Sequence, residues 1–457
     1  MTTDSQGRFS FSRGVHPPDS KHLTEDKPIA PGPPVKELAI FLSQHIGAPC
    51  QATVKKADTV QAGQEIGECQ GFVCAPVHAP IAGKVKEITL RSHPVLGRSP
   101  AVTIVAESEI QPTPPAFTLP DGFDPQQYAP EQICDAAREA GLVGMGGAGF
   151  PTSVKIQHDA KPPKHTLLVN ACECEPYITC DYRIMLEWTD QVIAGIRLAQ
   201  RACGVSKVFI GIEDNKPKAI EIMTDALQKL GLGETMTVAR LETKYPQGGE
   251  RQLIDAVLGE TVPTGGIPPQ IGVVVLNVAT AAALADAVIN NRPLTHRVVT
   301  VTGEAIANPG NYYVAIGTPV ETLIDFCGNV TTKSAKVVMG GPMMGLAIAD
   351  LSTPITKTSG AITVLTKEQI GQAKFERRQT ACIRCGRCLE VCPENLNPTR
   401  IAHAVKSNLL DVAERYFIGA CIECGCCSYV CPANIELTGY IKTGKIFLAR
   451  QRKKMPV

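Results

Sequence analysis

The sequence predicts a multidomain α/β + α protein, with a β-rich N-terminal module and an α-helical C-terminal unit. Three observations predict it. Short apolar runs cut by Gly and Pro fill the first 110 residues, strands alternate with helices from Pro130 to Ile289, and nine cysteines crowd between Cys382 and Cys431. At 457 residues the chain is too long for one core, and domains of ~100–150 residues suggest three or four units. Hydrophobic content of 44% against 19% charged suits a folded chain. The net charge of +1 leaves no strong whole-chain field and gives no sign of a nucleic-acid partner. That balance hides an asymmetry. Gly371 to Val457 carry 14 Lys/Arg against 7 Asp/Glu, or +7, so the residues before them sum to −6.

The first module, residues 1–110, is read as all-β from runs such as Gln51–Val54, Lys84–Leu90 and Ala101–Val105. The signals D-T-V-Q-A-G-Q (58–64) and A-P-V-H-A-P-I-A-G-K-V (75–85) resemble the barrel-sandwich module of biotinyl and lipoyl carriers. The carrier lysine has no counterpart between Pro76 and Pro80, so the module is read as structural. Residues 111–130 form a Pro-rich linker.

Residues 131–290 read as an α/β domain. Helices are expected over Pro130–Ala140, Asp190–Cys203, Lys216–Leu230, Glu250–Leu258 and Thr280–Ile289, with strands at Thr166–Asn170, Lys207–Ile212 and Gly272–Val278. Such alternation implies a largely parallel sheet covered on both faces. Residues 291–366 suggest a β-grasp module: strands Val298–Val301 and Tyr312–Ile316, then a helix with Thr318, Pro319 and Glu321 as a capping box. Residues 367–457 read as helical with two cysteine-rich loops, and the connecting segment Asn397–Ala420 as long and helical. No apolar h-region opens the chain, and Ile271–Ile289 contains Asn277, Thr280 and Asp286. The expectation is therefore a soluble or peripheral protein.

The cysteine loops carry the sharpest chemistry. Cys382-x-x-Cys385-x-x-Cys388-x-x-x-Cys392-Pro393 is repeated as Cys421-x-x-Cys424-x-x-Cys427-x-x-x-Cys431-Pro432. A [4Fe-4S] cube needs four thiolates around a compact tetrahedron. Two-residue gaps let one loop wrap three irons, and the fourth cysteine reaches the other cluster. The expected sets are Cys382, Cys385, Cys388 and Cys431 on one cluster, and Cys421, Cys424, Cys427 and Cys392 on the other. Cys426, beside Cys427, is read as a bystander. Zinc is the competing reading, but zinc loops rarely use this spacing twice. Two clusters of charge about −2 each would also balance part of the basic tail.

Gly144-Met-Gly146-Gly147-Ala-Gly149 matches G-x-G-x-x-G, which alone is weak. A helix is expected before it, where the dinucleotide fingerprint needs a strand. A turn-making glycine run is the plain alternative. Free N–H groups here could still wrap a phosphate, with Lys155 one turn into a following helix. Glu173 and Glu175 follow a parallel strand ending at Asn170, where such sheets bind ligands. The plain reading there is a solvated acidic loop. Tyr245, Gly248 and Glu250 open another helix, and Asn277 with Thr280 mark a further strand-to-helix turn.

These residues together resemble the family that forms the C component of the Rnf (Rsx) ion-translocating electron transport complex. The likeness runs end to end: F-S-R-G-V-H-P-P (11–18), Q-H-I-G-A-P (44–49), G-M-G-G-A-G-F-P-T (144–152), E-C-E-P-Y-I-T-C-D-Y-R (173–183), G-G-E-R-Q-L-I (248–254), G-G-P-M-M-G (340–345) and both cluster motifs. The family is similar in turn to the flavin-bearing, NADH-oxidising subunit of respiratory complex I. That resemblance implies a complex-I-flavoprotein-like central domain holding noncovalent FMN, with NAD(H) as substrate. Gly144, Gly146, Gly147, Gly149 and Lys155 would hold the flavin phosphate region. Asn170, Tyr245, Gly248, Asn277 and Thr280 would contact FMN, and Glu173, Glu175 and Glu250 would lie near the nicotinamide nucleotide. The chain departs from the complex I pattern at Cys172 and Gly249, and it has two cluster motifs where that relative has one.

The resemblance further implies a peripheral subunit on the cytoplasmic face of the membrane. Its partners would be other Rnf-type subunits, including a ferredoxin-like iron–sulfur subunit and integral membrane subunits. No side-chain acid or base is required, because a flavin couples two-electron to one-electron carriers. The rival expectations are a flavin and iron–sulfur cobalamin reductase, or a noncatalytic adaptor relaying electrons through clusters alone.

Overall fold

The computed structural model describes residues 3–158, 162–331, 334–369 and 379–454. The N-terminal module is a sandwich of two antiparallel sheets. Strands Val35–Phe41, Gly97–Ile110, Gly83–His93 and Thr59–Val60 form one, in that order. Gln51–Ala52, Glu65–Glu68 and Val77–His78 form the other. Leu38, Val60, Ile66, Val77 and Ile104 are fully buried between them. The strands expected at 84–90 and 101–105 extend at both ends into a long hairpin of 11 and 14 residues. Strand Val35–Phe41, which sequence reasoning missed, pairs along Gly97–Ile110.

The central domain has a four-stranded, wholly parallel sheet. Its order is Met236–Leu241, Lys207–Glu213, Thr166–Asn170, Val273–Asn277. Side chains alternate between two buried faces. Leu167, Val169, Val274 and Leu276 pack with helices Pro130–Glu139, Thr189–Cys203, Pro217–Lys229 and Val278–Asn290. Leu168, Val273 and Val275 pack with helix Glu250–Leu258 and with Phe11. A strand with apolar residues on both sides must be covered twice, and this sheet is. Helix Cys180–Glu187 and strand Met236–Leu241 had no sequence-based expectation.

The β-grasp region builds a six-stranded mixed sheet around strands His296–Thr302 and Ala361–Thr366. The expected capping box at Thr318 does not form. The helix runs Val320–Phe326 with Pro319 as its N-cap, and the Thr318 hydroxyl donates backwards to Ala315 O at 2.8 Å. The amides of Val320 and Glu321 donate instead to Thr353 O and Leu351 O, so a neighbouring loop satisfies the helix start. The segment 397–420, expected to be long and helical, is helical in three pieces. These are Pro398–Lys406, then Leu410–Arg415, parted by Asn408 in the left-handed region (φ 55), then a 3-10 turn Ile418–Ala420. Residues 370–378, part of the segment expected to be helical, lie outside the described residues.

Residues 4–31 run outside the sandwich. Phe9 bridges to Leu241, Val15 bridges to Tyr245, and Ile29–Pro31 pairs in parallel with residues 311–313 of the β-grasp sheet. The buried Lys21 ammonium donates to the carbonyls of Glu173, Glu175 and Ile178. No described helix is long and apolar enough to cross a membrane.

Candidate functional site

Strand order reverses at Thr166–Asn170. The chain runs from there to one side through Lys207–Glu213, then returns to the other side with Val273–Asn277. Parallel sheets open a crevice at such a point, beyond the C-terminal strand ends. Asn170 and Asn277 end neighbouring strands in direct register there. The Asn277 side chain caps helix Val278–Asn290, accepting from the amides of Ala279 (3.0 Å) and Thr280 (3.2 Å), and donates to Asp181 Oδ2 at 2.6 Å. Asn170 donates to Gly248 O at 2.7 Å. Thr280 Oγ1 accepts from the amide of Met145 at 2.9 Å, which pins the glycine loop over the crevice.

That loop is closed at its base by Gly144 N–H donating to Phe150 O, and by a bridge between Val143 and Pro151. Gly146, Gly147 and Ala148 remain exposed, and Gly149 is buried. A Cβ at Gly146 would lie 2.7 Å from Asn277 Nδ2, whereas one at Gly147 would meet nothing within 4 Å. The expected helix after the loop is a single turn, Thr152–Lys155. Its dipole is correspondingly small. Lys155 Nζ bonds Glu250 Oε1 at 2.7 Å and Val275 O at 3.0 Å, so the cation at the crevice already has an anionic partner.

Glu173 and Glu175 are engaged by the protein's own backbone. Glu173, itself in the left-handed region (φ 49), accepts from the amides of Asp181 (2.7 Å) and Tyr182 (3.3 Å) and so caps helix Cys180–Glu187. Burial pushes its carboxyl up to about 7, against the opposing pull of Lys21. Glu175 accepts from the amides of Met343 (2.6 Å) and Met344 (3.1 Å), and burial raises its carboxyl as well. Sequence reasoning missed Asp181, Lys21 and Gln247. Gln247, on the loop with Tyr245 and Gly248, is fully buried with both amide atoms unpartnered among the described residues. The unobstructed edge at Gly147 and this orphaned amide fit a site that a bound cofactor completes. The sequence signal for Gln247 was only its place in Y-P-Q-G-G.

The two cysteine loops repeat structurally with a 39-residue offset, the step from Cys382 to Cys421. Arg384 and Glu423 both take positive φ, as do Gly386 and Gly425, and Asn395 and Asn434. Matching amides point at sulfur: Arg384 to Cys382 Sγ, Glu423 to Cys421 Sγ, Leu396 to Cys392 Sγ and Ile435 to Cys431 Sγ, each 3.4 Å. Cys392, Cys421, Cys424 and Cys427 line one cavity walled by Leu396, Ile401 and Ile441. Three of these belong to the second motif and one to the first, and Cys426 lines the same cavity. Cys382, Cys388 and Cys431 gather in an apolar cluster with Ala402, Ala433 and Leu437, while Cys385 is exposed. Four soft donors around a shared cavity, with amide donors aimed at the sulfurs, fit an iron–sulfur cube.

Tyr245 joins the two halves. Its ring is 1% exposed among Val15, Cys174, Cys424 and Cys426, and its hydroxyl donates to Cys424 O at 2.8 Å. Cys174 Sγ accepts from the amide of Gly248 at 3.3 Å, and buried Cys426 packs against the Tyr245 carbonyl. Gln252 Nε2 donates to Glu394 at 2.8 Å, and Arg13 to Leu389 O at 2.7 Å, fastening the cysteine loops to the α/β domain.

Family models match four consecutive segments. They are a barrel sandwich hybrid domain of the RnfC type over residues 9–109, a Nuo51 FMN-binding domain over 137–286, an SLBB domain over 298–347 and a 4Fe-4S dicluster domain over 378–435. The chain is 42% identical to the C component of the proton-translocating ferredoxin:NAD(+) oxidoreductase complex of Clostridium ljungdahlii, over 89% of this chain and 87% of the relative. It is 40% identical to the C component of the Na(+)-translocating ferredoxin:NAD(+) oxidoreductase complex of Acetobacterium woodii, over 89% of each. The fold is similar to a chain of an NAD+-reducing [NiFe]-hydrogenase in its air-oxidized state. The TM-score is 0.52 at 21% identity, over 70% of this chain but under two thirds, 62%, of that one.

Proposed function

The chain belongs to the RnfC family of ion-translocating oxidoreductase complexes, carrying an FMN-binding domain and a 4Fe-4S dicluster domain, and on that premise we propose that it is the peripheral NAD(H)-facing subunit of an Rnf-type complex. Electrons would pass between NAD(H), the crevice beside Asn170 and Asn277, and the two four-cysteine sites, then through partner subunits to or from ferredoxin at the cytoplasmic face of the membrane. The observation that carries this reading is the Tyr245–Cys424 hydrogen bond, which makes the crevice and the second cysteine cavity one continuous packed body.

Bound FMN exchanges electron pairs with NAD(H) and single electrons with iron–sulfur clusters. The chain's own residues supply placement. The Gly146–Ala148 edge lets a phosphate-bearing ligand approach backbone amides. Asn170 and Gln247 offer amide groups, Thr280 pins the loop, and Asn277 caps the helix start beside it. Lys155, paired with Glu250, places a screened cation at the mouth. Apolar walls around Cys392, Cys421, Cys424 and Cys427 exclude water from the nearer cluster site. A cluster held there would be the first electron acceptor from the crevice, and one held by Cys382, Cys385, Cys388 and Cys431 would be the second.

The test is anaerobic purification with iron, sulfide and flavin assays, then titration with NADH followed by electron paramagnetic resonance. About one FMN and eight iron per chain, with cluster signals growing as NADH is added, are expected. Intact clusters without flavin would sink the proposal in favour of a relay adaptor.

A further inference from the structure

The sandwich module holds a second constellation of soft ligands, far in sequence from the cluster loops. His45 and Cys50 lie on the loop between strands Val35–Phe41 and Gln51–Ala52. Cys69 and Cys74 lie on the loop between Glu65–Glu68 and Val77–His78. The two loops close on each other. Ala48 N–H donates to Val73 O, and Gly47, in the left-handed region (φ +119), approaches Val73 so closely that a Cβ there would lie 2.0 Å from its carbonyl oxygen. The ligand atoms of His45, Cys50 and Cys74 all fall within 4.8 Å of one another. Cys69 lies outside that three-residue group, but it sits on the same short loop as Cys74, five residues before it, and is the remaining soft donor on the two facing loops.

Three details give this cluster the character of a site. Cys50 Sγ and Cys74 Sγ are 3.8 Å apart. A disulfide requires ~2.05 Å, whereas two thiolates on one tetrahedral zinc, at bonds of ~2.3 Å, sit at about this spacing. His45 Nε2 lies 2.9 Å from Ala48 O, a pure acceptor, so Nε2 carries the proton. The lone pair is therefore on Nδ1, and Nδ1 is buried with no partner among the described residues. An imidazole fixed by a carbonyl through one nitrogen, with the other directed at thiols, is how proteins present histidine to a metal. Finally, the Lys357 ammonium, buried and donating to Pro76 O and Gly141 O, sits in the electrostatic neighbourhood of all three thiols. Three thiolates and one imidazole on a dication leave a net −1, which this cation offsets.

We propose that His45, Cys50, Cys69 and Cys74 bind a structural zinc ion. Four protein ligands leave no open position, so the site is a clasp rather than a catalyst. It fixes the 42–50 loop, whose Ile46 amide donates to Gly149 O at 3.1 Å, and so braces the glycine loop of the crevice from outside. Binding releases the thiol protons to solvent and changes no oxidation state.

The experiment uses the full chain, purified anaerobically with its complete iron and sulfide complement so that zinc cannot occupy the cluster loops. About one zinc per chain is expected, with an X-ray absorption spectrum showing about three sulfurs near 2.3 Å and one nitrogen near 2.0 Å. The double variant Cys50→Ser/Cys74→Ser should lose that zinc while keeping its iron. Iron in this site, zinc retained by the double variant, a zinc-free chain with full clusters, or a Cys50–Cys74 disulfide found by mass spectrometry would each overturn the proposal. Should the double variant fail to fold, the absorption spectrum of the unaltered chain and the zinc content of His45→Ala decide it, the latter expected to fall.

Discussion

Gly146 and Gly147 are neighbours in one loop, yet a single methyl should act on them in opposite ways. At Gly146 the new Cβ would stand 2.7 Å from Asn277 Nδ2 and 2.9 Å from its Cγ. A free side chain would swing aside. Asn277 is held by Asp181 on one side and by the amides of Ala279 and Thr280 on the other. Moving it sacrifices a helix cap, worth about 0.5–2 kcal/mol, and overpacking costs about 1–3 kcal/mol. The two overlap, so Gly146→Ala should destabilise by roughly 1–3 kcal/mol and loosen the crevice. At Gly147 the methyl meets nothing, so stability should stay within about 0.5 kcal/mol of the parent. It projects from the exposed edge on which a flavin phosphate would settle, and a loss of about 1.4 kcal/mol there weakens FMN binding about tenfold. The assay is FMN titration of deflavinated protein beside a thermal scan of the same samples. Gly147→Ala binding FMN as tightly as the parent would refute the loop as a flavin cradle. Gly146→Ala melting with the parent would show that Asn277 is not locked.

Three further outcomes follow from the geometry. Tyr245→Phe removes the bond to Cys424 O and leaves a buried carbonyl short of a donor, costing about 1–3 kcal/mol; stopped-flow mixing with NADH should show slower cluster reduction at unchanged FMN content. Cys392→Ser should abolish the paramagnetic signal that Cys424→Ser abolishes, and Cys431→Ser the one that Cys385→Ser abolishes; the reverse pairing would mean each motif keeps its own fourth ligand. Glu173 titrates near 7 when folded against 4.5 otherwise, so the folded chain holds a proton that the unfolded chain releases. Its contribution is complete below about pH 4.5 and is lost as pH rises through about 7, and Glu173→Gln should flatten the stability profile across that window in chemical denaturation.

How much of this could be read beforehand depended on whether the signal was local. Cys382 to Cys431 announced themselves because the spacing of a cube's ligands is a sequence property. Thr166–Asn170 and Glu250–Leu258 were plain because apolar runs and capped helices are short-range patterns. The loop Gly144–Gly149 could be seen, but its lock on Thr280 and Asn277 could not, since 135 residues separate Met145 from Thr280. Glu173 and Glu175 looked like ligand-facing acids; that their oxygens meet the amides of Asp181 and Met343 is a tertiary fact. His45, Cys50, Cys69 and Cys74 escaped notice because no short motif links them. Helix Val320–Phe326 begins later than Thr318 suggested because Thr353 and Leu351, from a distant loop, took over the role of the cap.

The segment from Asp4 to Pro31 bears on how the molecule is made. Its last residues zip onto residues 311–313, and the carbonyl of Thr24 waits for the side chain of Asn311, 287 positions downstream. On a ribosome those residues emerge well before the partners they pair with. Until then the crevice lacks Lys21 and the Tyr245 edge lacks Val15. Such long-range closure is slow, so final stitching of this leading strand, rather than folding of any one unit, would set the moment at which the nascent chain becomes ready for its cofactors.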